Sequence, residues 1–559
     1  MPVALRYTVS VMGSSTAAGT ATAESRTGLA VHTLAIPVAL YGLGLVARLV
    51  AMLGVRFPLT EGSAYYVAVA RNMAEGRGPV IDAIWSYATP PFNLPGKPAF
   101  EIWQPMASFI AALPMPVLGS SYSTAQLAFA VVGALLAPLA WLVARDAARR
   151  LALPPNRQAY AAFGAGALVA VAGPFVISSA VPDSTLPFTL FATAACLCMP
   201  AAARGNSRAM LALGLLLGFA YLTRMEAIYL GLVLIAVAWT AKVRGRLLFA
   251  RVGTVALIGG LIVLPWWARN YAVFGTPLPG QFADNAFLTS NEQIFAWTDQ
   301  PTLSGFLAQG PVTIVSNLGA ALWHNLVDVM LIPGNIIVVA GLLTIVFGWR
   351  RRAEISGSSL WALLFYGAIS FVLTSMVFPV ATQWGTFEHA AGPLLLALAV
   401  VAALGGDAFV ARVRQWRNWP RPNAGMAPAA LSAVVLAMSV LALLFASVQA
   451  QSRERQIAAV VVAVNETPGF PHDGSTIASD LPIWLSDALD VPVAVLPVEP
   501  ASQVATYLAQ FKPSAIVLVD DLRASADTVR SLGCATETTP AANPAAPQLT
   551  IFVDTRSCP

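Results

Sequence analysis

Long apolar runs separated by short polar segments dominate the chain. A transmembrane helix needs about 20 apolar residues to cross a hydrocarbon core of about 30 Å. Runs of this length lie at 29–54, 125–144, 160–181, 359–378, 390–410 and 427–448. Because the runs are unbroken, they do not fit a transmembrane β-barrel, and α-helices are predicted. The pattern therefore predicts a polytopic α-helical membrane protein.

The composition agrees with this interpretation. Apolar residues make up 57% of the 559 residues and charged residues only 11%, and the mean hydropathy is +0.69. Membrane lipid is therefore predicted to surround most of the chain. The net charge of +5 lies mostly in short loops. This charge indicates how the chain is oriented in the membrane, and it does not indicate nucleic-acid binding.

Arginine and lysine cluster in five short loops between apolar runs. The clusters are Arg145/Arg149/Arg150/Arg157, Arg204/Arg208, Lys242/Arg244/Arg246/Arg251, Arg350/Arg351/Arg352 and Arg412/Arg414/Arg417/Arg421. Because cytoplasmic loops carry an excess of these residues, all five clusters are predicted to be cytoplasmic. Arg48 and Arg56, near the end of the first run, are instead interpreted as snorkelling or anchoring residues at the membrane interface.

The same rule resolves two ambiguous segments. The run 209–240 lies between two basic clusters, so it is predicted to form two short helices hinged near Arg224 and Glu226. Segment 104–118 contains three prolines and about 15 residues, which favours a juxtamembrane helix on the outer surface. Eleven spans result, with the N-terminus in the cytoplasm and the C-terminus outside.

Three regions follow from this topology. Residues 1–28 are predicted to be a cytoplasmic tail, because the serine- and alanine-rich start lacks the order of a signal peptide. Residues 29–450 form the transmembrane domain, including an outer loop at 55–124. Residues 451–559 alternate short apolar strands ("STIAS", "VPVAVLP", "SAIVLV", "LTIFV") with helical stretches, which predicts a small soluble α/β domain outside the membrane. A disulfide between Cys534 and Cys558 is left open there.

Unusual polar residues gather on the predicted outer face. They are Glu61, Asp82, Lys97 and Glu101 in the first loop, Asp183 after the third span, Arg224 and Glu226 at the hinge, Arg269 and Asn270 after the seventh span, and Glu388 and His389 before the tenth. Ionisable groups at the hydrocarbon boundary are costly and usually face a cavity or a partner, so their convergence indicates a functional site.

Structural interpretations of the same residues stay open. Asp183 lies in a helix-start signal, Glu388 could favour a helix N-terminus, and Arg224 could pair with Glu226 across a turn. Tyr65 and Tyr66 fit an interfacial aromatic belt as well as a sugar-stacking surface.

Several motifs resemble those of the GT-C superfamily of polyprenyl-phosphate-sugar-dependent glycosyltransferases, which includes protein O-mannosyltransferases and lipid A aminoarabinose transferases. The motifs are "LTEGSAYYVAVARNMAEGRG", "WQPMAS", "PDSTLPFTLF", "YLTRMEAIYL" and "PWWARNYAVFGTPLP", and they occur in the order expected of the family over residues 30–400. Glu61 stands where the family usually has Asp, and Gly62 replaces a common acidic neighbour.

The resemblance implies that a sugar moves from a polyprenyl-phosphate-linked donor to an acceptor on the outer face, with inversion. A carboxylate takes the acceptor proton, which makes Glu61 the candidate base and Asp183 the second carboxylate. Cations hold the phosphate, and Arg269, Arg224 and Lys97 are the candidates. The predicted substrate-binding residues are Tyr65, Tyr66, Asp82, Glu101, Asn270, Glu388 and His389.

Other functions have less support in the sequence. A divalent cation, Mg²⁺ or Mn²⁺, held by Asp183, Glu388 and His389 is an open alternative without a dense ligand cluster. No nucleotide-binding loop or nucleophile elbow is found. A transporter or lipid flippase is the alternative function, but the spans show no inverted repeat. The compact loops favour a bacterial plasma membrane, and the sequence does not identify the sugar or the acceptor.

Overall fold

The computed structural model describes residues 21–280, 283–348, 351–418, 426–520, 526–538 and 543–558. Its helices in chain order are α1 Ala21–Gly54, α2 Glu61–Ala74, α3 Met106–Ala112, α4 Met115–Leu118, α5 Tyr122–Gly133, α6 Leu136–Arg150, α7 Pro155–Val171, α8 Gly173–Ala180, α9 Thr185–Ala203, α10 Ser207–Thr223, α11 Ile228–Thr240, α12 Gly245–Phe274, α13 Leu303–Ala308, α14 Gly310–His324, α15 Ile332–Gly348, α16 Arg352–Ile355, α17 Ser359–Val377, α18 Thr386–Ala390, α19 Gly392–Arg417, α20 Met426–Glu466, α21 Pro482–Leu489, α22 Ala501–Phe511 and α23 Ala526–Leu532. Within the predicted cytoplasmic tail, residues 1–20 lie outside the described part of the chain, as do Arg350 and Arg421 of the basic clusters.

The helices confirm the prediction of a polytopic helical membrane protein. Within the described residues, eight helical stretches are long and apolar enough to cross a membrane: Leu34–Gly54, Tyr122–Arg150, Thr185–Ala203, Gly245–Phe274, Gly310–Gly348, Ser359–Val377, Gly392–Arg417 and Met426–Glu466. A ninth candidate is the pair α7 and α8, which meet at a bend of 41°. The predicted number of eleven spans additionally requires the shorter apolar helices Ser207–Thr223 and Met225–Thr240.

Local sequence explains the breaks between these helices. Helix α10 ends where Arg224 adopts an extended backbone (φ −155°, ψ 142°), and a short 3₁₀ turn then leads into α11. The division of 209–240 at this point agrees with the prediction. Helix α12 ends at Gly275, whose φ of 74° lies in the left-handed region that favours glycine. Segment 104–118 forms the two short helices α3 and α4, which agrees with a juxtamembrane segment.

Two helices are longer than the spans predicted for them. A helical stretch of 39 residues extends from Gly310 to Gly348, where only 332–348 was predicted, and it is interrupted by a kink at Asn335 (φ 41°, ψ −126°). Helix α20 covers 41 residues, and its apolar part ends near residue 448, yet the helix continues to Glu466. At 1.5 Å per residue α20 is about 60 Å long, twice the hydrocarbon thickness. The domain boundary predicted at residue 451 therefore falls inside a helix.

The terminal domain contains a six-stranded sheet that includes a strand from the first loop. The strands are β2 Ala83–Ile84, β4 Ile477–Ser479, β5 Val493–Val495, β6 Ala515–Leu518, β7 Thr536–Thr538 and β8 Thr550–Val553, in the order β2-β5-β4-β6-β8-β7. The first four strands of this order are parallel, and β8 is antiparallel to β6 and β7. The remaining strands, β1 Val80–Ile81 and β3 Lys97–Pro98, form an antiparallel pair in the loop.

The sheet confirms the α/β character of the C-terminal region. All four strands predicted from the apolar segments are present, whereas β2 and β7 were not predicted. Cys534 and Cys558 form a disulfide with Cα atoms 4.9 Å apart, which answers the alternative left open by the sequence. Residues of β2 and of the terminal strands share one hydrophobic core with α2. The first loop and the terminal domain are therefore packed as one unit.

Contacts between distant loops bring several basic segments together. Nη2 of Arg351 donates to the carbonyl of Leu151 at 2.7 Å, although 200 residues separate them. Nη1 of Arg251 likewise donates to the carbonyl of Ala203. These contacts join four of the five basic clusters in pairs, as expected if the loops share one side of the membrane.

The structure corrects the interpretation of Arg48 as a snorkelling or anchoring residue. Its side chain does not extend toward the interface but is fully buried. The guanidinium donates Nη1 to the carbonyls of Gly44 at 2.9 Å and Ala170 at 3.3 Å. Both carbonyls are bound by Nη1, whereas the buried Nε and Nη2 have no hydrogen-bond partner among the described residues. Arg56, in contrast, is exposed, as the anchoring interpretation requires.

Candidate active site

Helix α2 places two tyrosines between two groups of ionisable residues. The helix begins after Thr60, whose hydroxyl accepts the amide of Ser63 at 3.1 Å and so caps the first turn. Tyr65 and Tyr66 follow one turn later, with ring centroids 5.9 Å apart, and both are buried. Because neighbouring positions of a helix point in different directions, the two rings contact different surroundings.

Glu61 lies in the first turn of α2 and borders an aromatic wall. Its side chain is 8% exposed, and its Oε2 accepts a hydrogen bond of 2.8 Å from Nε1 of Trp85. The ring of Trp85 lies 4.5 Å from that of Trp103, which in turn lies 4.4 Å from Tyr65. The helix N-terminus favours a negative charge at Glu61. The indole fixes one carboxylate oxygen and so orients the other.

Asp183 lies in the turn between α8 and α9 and is almost completely buried. Its Oδ1 accepts the amide of Thr185, the first residue of α9, at 2.7 Å. The carboxylate therefore binds a free amide at the helix start, although the N-cap position itself is Ser184. Burial raises the pKa of Asp183 to about 6, although the Thr185 hydrogen bonds oppose the shift. This carboxyl therefore becomes protonated at only mildly acidic pH.

His389 faces Asp183 without forming an ion pair at neutral pH. Its Nδ1 lies 3.7 Å from Oδ2 of Asp183 and 2.7 Å from the hydroxyl of Thr185. Burial, with a smaller contribution from the charge of Arg224, lowers the pKa of His389 to about 3. The imidazole is thus neutral, and its contact with Asp183 is polar. The neighbouring Glu388 has its pKa raised by burial.

Arg224 is held by a pair of hydrogen bonds to Glu226. Nε and Nη2 of Arg224 donate to the two carboxylate oxygens at 3.1 and 2.6 Å, and Nη1 donates to the hydroxyl of Ser184 at 3.0 Å. The pairing across the turn that the sequence left open is therefore present. The guanidinium is also close enough to Asp183 and Tyr66 to affect their charges. Arg224 thereby joins Asp183, Glu226 and His389 into one cluster.

A second group lies around the other tyrosine. The hydroxyl of Tyr65 accepts the amide of Phe100 at 2.6 Å. Next to it, Nζ of Lys97 lies 2.9 Å from Oε1 of Glu101, and both side chains are buried. Tyr65 also interacts electrostatically with Glu101 and with Arg269 of α12. The first loop and the seventh predicted span therefore contribute to the same group.

Arg269 is the cation of this group that packs against aromatic rings. Its guanidinium lies 4.9 Å from the ring of Trp266 and 5.0 Å from that of Phe274, and it donates to Oδ1 of Asn270 at 3.1 Å. Among the described residues no carboxylate lies within ion-pair distance of it. Cation–π contacts stabilise the charge without neutralising it, so Arg269 can still bind an anion.

Several buried polar atoms near this group have no hydrogen-bond partner among the described residues. They are Oε2 of Glu101, Oε1 of Gln104 and Nε1 of Trp266. Buried polar atoms are normally paired, so atoms of this kind commonly mark a place where water or a ligand binds. Trp85, Trp103, Gln104 and Trp266 were not predicted as site residues. Trp103, Gln104 and Trp266 lie inside two of the quoted motifs, which was the sequence signal that could have identified them.

The structure does not bring every predicted residue into these groups. The carboxylate of Asp82 accepts hydrogen bonds from Nη1 of Arg77 and from the amide of Gly96, both at 2.8 Å. Its carbonyl accepts the amide of Val493 at 3.0 Å, in the sheet. These contacts show that Asp82 supports the loop, and its role in substrate binding stays a prediction.

The alternative of a metal site has no ligand cluster to support it. Among the described residues, no three histidine, cysteine, aspartate or glutamate side chains are grouped in a way that could hold a metal ion. Asp183, Glu388 and His389 are neighbours but do not form such a set.

A sequence comparison matches the central part of the chain to a known family. Residues 97–268 match the family described as dolichyl-phosphate-mannose-protein mannosyltransferase. This range begins at Lys97 and ends just before Arg269, so it contains Asp183 and Arg224. No curated protein matches the chain in a sequence search.

Solved structures show the fold of the whole chain. Apo ArnT from Cupriavidus metallidurans is similar with a TM-score of 0.52 and 14% identity, over 96% of this chain and 100% of that chain. The same protein bound to undecaprenyl phosphate gives a TM-score of 0.52 and 14% identity, over 95% and 99%. The Archaeoglobus fulgidus oligosaccharyltransferase, tethered to an acceptor peptide containing an NVT sequon, gives 0.52 and 13% identity, over 87% and 68%. The resemblance to the GT-C superfamily is thus confirmed, and the chain has its fold.

Proposed function

We propose that the protein is a membrane glycosyltransferase that moves a sugar from a polyprenyl-phosphate-linked donor to an acceptor on the extracytoplasmic face, with inversion. The observation that carries the proposal is the gathering of the carboxylates Glu61 and Asp183 and the cation Arg269 around helix α2. A transferase of this type needs a base for the acceptor and a cation for the leaving phosphate. The ArnT of similar fold was solved with undecaprenyl phosphate bound, which supports a lipid-linked donor.

In the proposed reaction, an acceptor hydroxyl or amine attacks the anomeric carbon of the donor sugar. The bond from that carbon to the phosphate oxygen breaks, and the electron pair leaves with the polyprenyl phosphate. Glu61 takes the proton that the acceptor loses. Its contact with Trp85 supports this role, since a base must be held in one orientation to reach the proton. Asp183 is the second carboxylate and orients the acceptor or the sugar.

Arg269 is proposed to bind the donor phosphate. The guanidinium fork matches two phosphate oxygens, and its positive charge stabilises the negative charge that grows on the leaving group. Arg224 and Lys97 were predicted for the same role, but each is paired with a carboxylate, Glu226 and Glu101. We assign these two cations to the support of the site and Arg269 to the phosphate.

The position of Arg269 fits a donor that remains in the bilayer. It lies in the last turns of α12, one of the helices that can cross a membrane. A phosphate bound there is at the hydrocarbon boundary, so its isoprenoid tail can stay in lipid. The buried carboxylates and the aromatic wall limit the access of water, which matters because hydrolysis of the donor is the competing reaction.

The terminal domain is proposed to shape the acceptor side of the site. Strand β2 from the first loop adds to the terminal sheet, and Ser486 of α21 donates to the carbonyl of Asp82 at 2.9 Å. The loop that carries Lys97, Glu101 and the aromatic wall is therefore supported by residues from the end of the chain. We propose that the protein is integral to a bacterial plasma membrane, as its compact loops favour, with the N-terminus cytoplasmic and the terminal domain outside.

Reconstitution tests the proposed activity. Purified protein in proteoliposomes is given a polyprenyl-phosphate-linked sugar with a panel of protein, lipid and glycan acceptors, and the release of polyprenyl phosphate is followed. Sugar transfer to one acceptor is the expected result. Movement of the intact donor across the membrane without loss of its sugar would favour the transporter or flippase that the sequence left as an alternative.

A further inference from the structure

Helix α5 carries two polar side chains that bind the ends of three other helices. Tyr122 and Gln126 are four residues apart, so they lie on the same face of α5. Their hydrogen-bond partners lie 54 to 71 residues away along the chain, in or next to α1, α2 and α8. Helices α2 and α8 lead to the two candidate carboxylates, Glu61 and Asp183. The contacts of α5 therefore bear on the geometry of the candidate active site.

The carbonyl of Ala180, the last residue of α8, accepts two of these hydrogen bonds. The last carbonyls of a helix have no amide donor within the helix. The hydroxyl of Tyr122 donates to this oxygen at 3.1 Å, and Nε2 of Gln126 donates to it at 2.7 Å. Both lone pairs of the oxygen are thus used, and the end of α8 is fixed to α5. Asp183 lies only three residues after Ala180.

The same two side chains also hold the segment that leads into α2. The hydroxyl oxygens of Tyr122 and Ser63 are 3.2 Å apart. Since Tyr122 donates its proton to the end of α8, Ser63 is the donor in this contact. Nε2 of Gln126 donates its second proton to the carbonyl of Val55 at 2.6 Å, just after α1. Ser63 lies two residues after Glu61, in the first turns of α2.

A hydroxyl bridge, formed by Ser63, Tyr122 and the carbonyl of Ala180, thus connects α2 to α8. Ser63 is 0% exposed and Gln126 is 1% exposed. Because water does not reach these groups, a hydrogen bond that is lost there is not replaced. Tyr122 also lies close enough to Asp183 for the two to interact electrostatically. One hydroxyl group therefore binds residues within three positions of each candidate carboxylate.

We propose that Tyr122 is a positioning residue that, with the support of Gln126, fixes the position of Glu61 relative to Asp183. The roles of the two carboxylates in this inference rest on the proposed function. A displacement of about 1 Å in a catalytic group can lower a rate by about 100-fold, so a bridge between the two segments bears directly on turnover. The donor phosphate is proposed to bind at Arg269 of α12, which the bridge does not contact. Loss of the bridge should therefore lower kcat and leave donor binding unchanged.

A double-mutant cycle on the full chain in proteoliposomes tests the inference by sugar transfer. Tyr122→Phe keeps the ring and removes the hydroxyl, and Ser63→Ala removes the other hydroxyl of the bridge. We expect each variant to lower kcat by about 10- to 100-fold and to keep the wild-type KM for the donor. The double variant should lose no more than the single variants, because both changes break the same bridge. Fully additive losses, or a higher donor KM at unchanged kcat, would overturn the inference.

Tyr41→Phe is the matched control. The hydroxyl of Tyr41 donates to the carbonyl of Val131 at 3.3 Å and so also joins α5 to another helix, but it binds neither α2 nor α8. This variant should keep the wild-type kcat. A loss equal to that of Tyr122→Phe would show that any hydroxyl contact of α5 has the same effect and would overturn the inference.

Hydrogen–deuterium exchange separates failure of the inference from failure of the proposed function. The amides of Ala64 and Val181 donate to the carbonyls of Thr60 and Ile177, each at 3.0 Å, on the two sides of the bridge. In Tyr122→Phe both amides should exchange about tenfold faster than in the wild type, because local opening becomes easier. Faster exchange would support the bridge even if the wild type transferred no sugar, a result that would refute only the proposed function. Unchanged exchange at both amides would overturn the bridge.

Discussion

Nε1 of Trp85 donates a hydrogen bond of 2.8 Å to Oε2 of Glu61, and 24 residues separate the two along the chain. The carboxylate is buried at the first turn of α2. An indole is a donor only and carries no charge, so it orients the carboxylate without neutralising it. The proton acceptor of the proposed reaction is therefore held by an aromatic wall that also borders Tyr65.

Removal of the Arg269 guanidinium should weaken donor binding. We expect Arg269→Ala to raise KM for the lipid-linked donor by about 10- to 100-fold, since a charge-assisted hydrogen bond contributes about 1.5–3 kcal/mol. Steady-state kinetics at saturating acceptor measures this change. Arg246→Ala, at the exposed start of the same helix, is the control and should keep the wild-type KM. An unchanged KM for Arg269→Ala would exclude the arginine from phosphate binding.

Asp183 should give the activity a pH dependence near its pKa of about 6. The carboxylate form acts in the proposed reaction, so kcat should fall as the pH decreases below about 6 and the carboxyl becomes protonated. Asp183→Asn should lower kcat and remove this limb of the pH profile. A profile of the variant that still falls at the same pH would assign the limb to another group.

The same shift predicts a change in stability with pH. The pKa of Asp183 in the folded protein, about 6, is above its ordinary value of 3.8, so folding favours the protonated form. The free energy of unfolding should thus decrease as the pH rises from about 4 to about 6, by about 3 kcal/mol at most. Melting temperatures should show Asp183→Asn to be more stable than the wild type at pH 7.5, and the difference should vanish at pH 4.

The ion pair of Arg224 and Glu226 should stabilise the hinge between α10 and α11. Removing one partner of a buried pair leaves an uncompensated charge, so Glu226→Gln should cost about 3 kcal/mol of stability. The double variant Arg224→Gln, Glu226→Gln should recover part of this loss, as thermal unfolding in detergent would show. If Glu226→Gln alone had no effect, the pair would not stabilise the hinge.

Orientation in the membrane can be tested by labelling single cysteines from outside the cell. Residues 55–124 and 451–559 are predicted to be outside, and 242–251 and 411–426 in the cytoplasm. In a Cys196→Ala, Cys198→Ala background, Asp473→Cys should react with an impermeant thiol reagent and Arg246→Cys should not. Cys534 and Cys558 form a disulfide, so they should stay silent. Labelling of Arg246→Cys from outside would invert the proposed topology.

Most membrane helices and four strands of the terminal sheet were predictable because each carries a hydrophobic pattern of sufficient length. Strand β2 was not, since Ala83 and Ile84 are only two residues and pair with Val493 and Ala494 far along the chain. A strand of two residues is too short to show an alternation of apolar and polar positions. The continuation of α20 past residue 450 was also hidden, because polarity marks the end of the lipid region and not the end of a helix.

The sequence singled out several ionisable residues of the candidate site, but not their contacts. Ionisable residues at the ends of apolar runs are rare enough to identify Asp183, Arg224 and Arg269 from the sequence. Their partners are set by tertiary packing, as the buried guanidinium of Arg48 illustrates within the first span. Asp82 resembles the other acids of the loop in sequence, yet its contacts with Arg77 and Gly96 place it in the support of the loop.

The most direct test of the proposed function is the turnover of Glu61→Gln at saturating donor and acceptor. The substitution keeps the size of the side chain and its acceptor oxygen for Trp85 but removes the base, so kcat should fall by about 10²- to 10⁴-fold while the protein folds normally. Glu75→Gln, at the exposed C-terminal end of the same helix, should retain wild-type turnover. A near-normal kcat for Glu61→Gln would contradict the assignment of the base and make Asp183 the leading candidate.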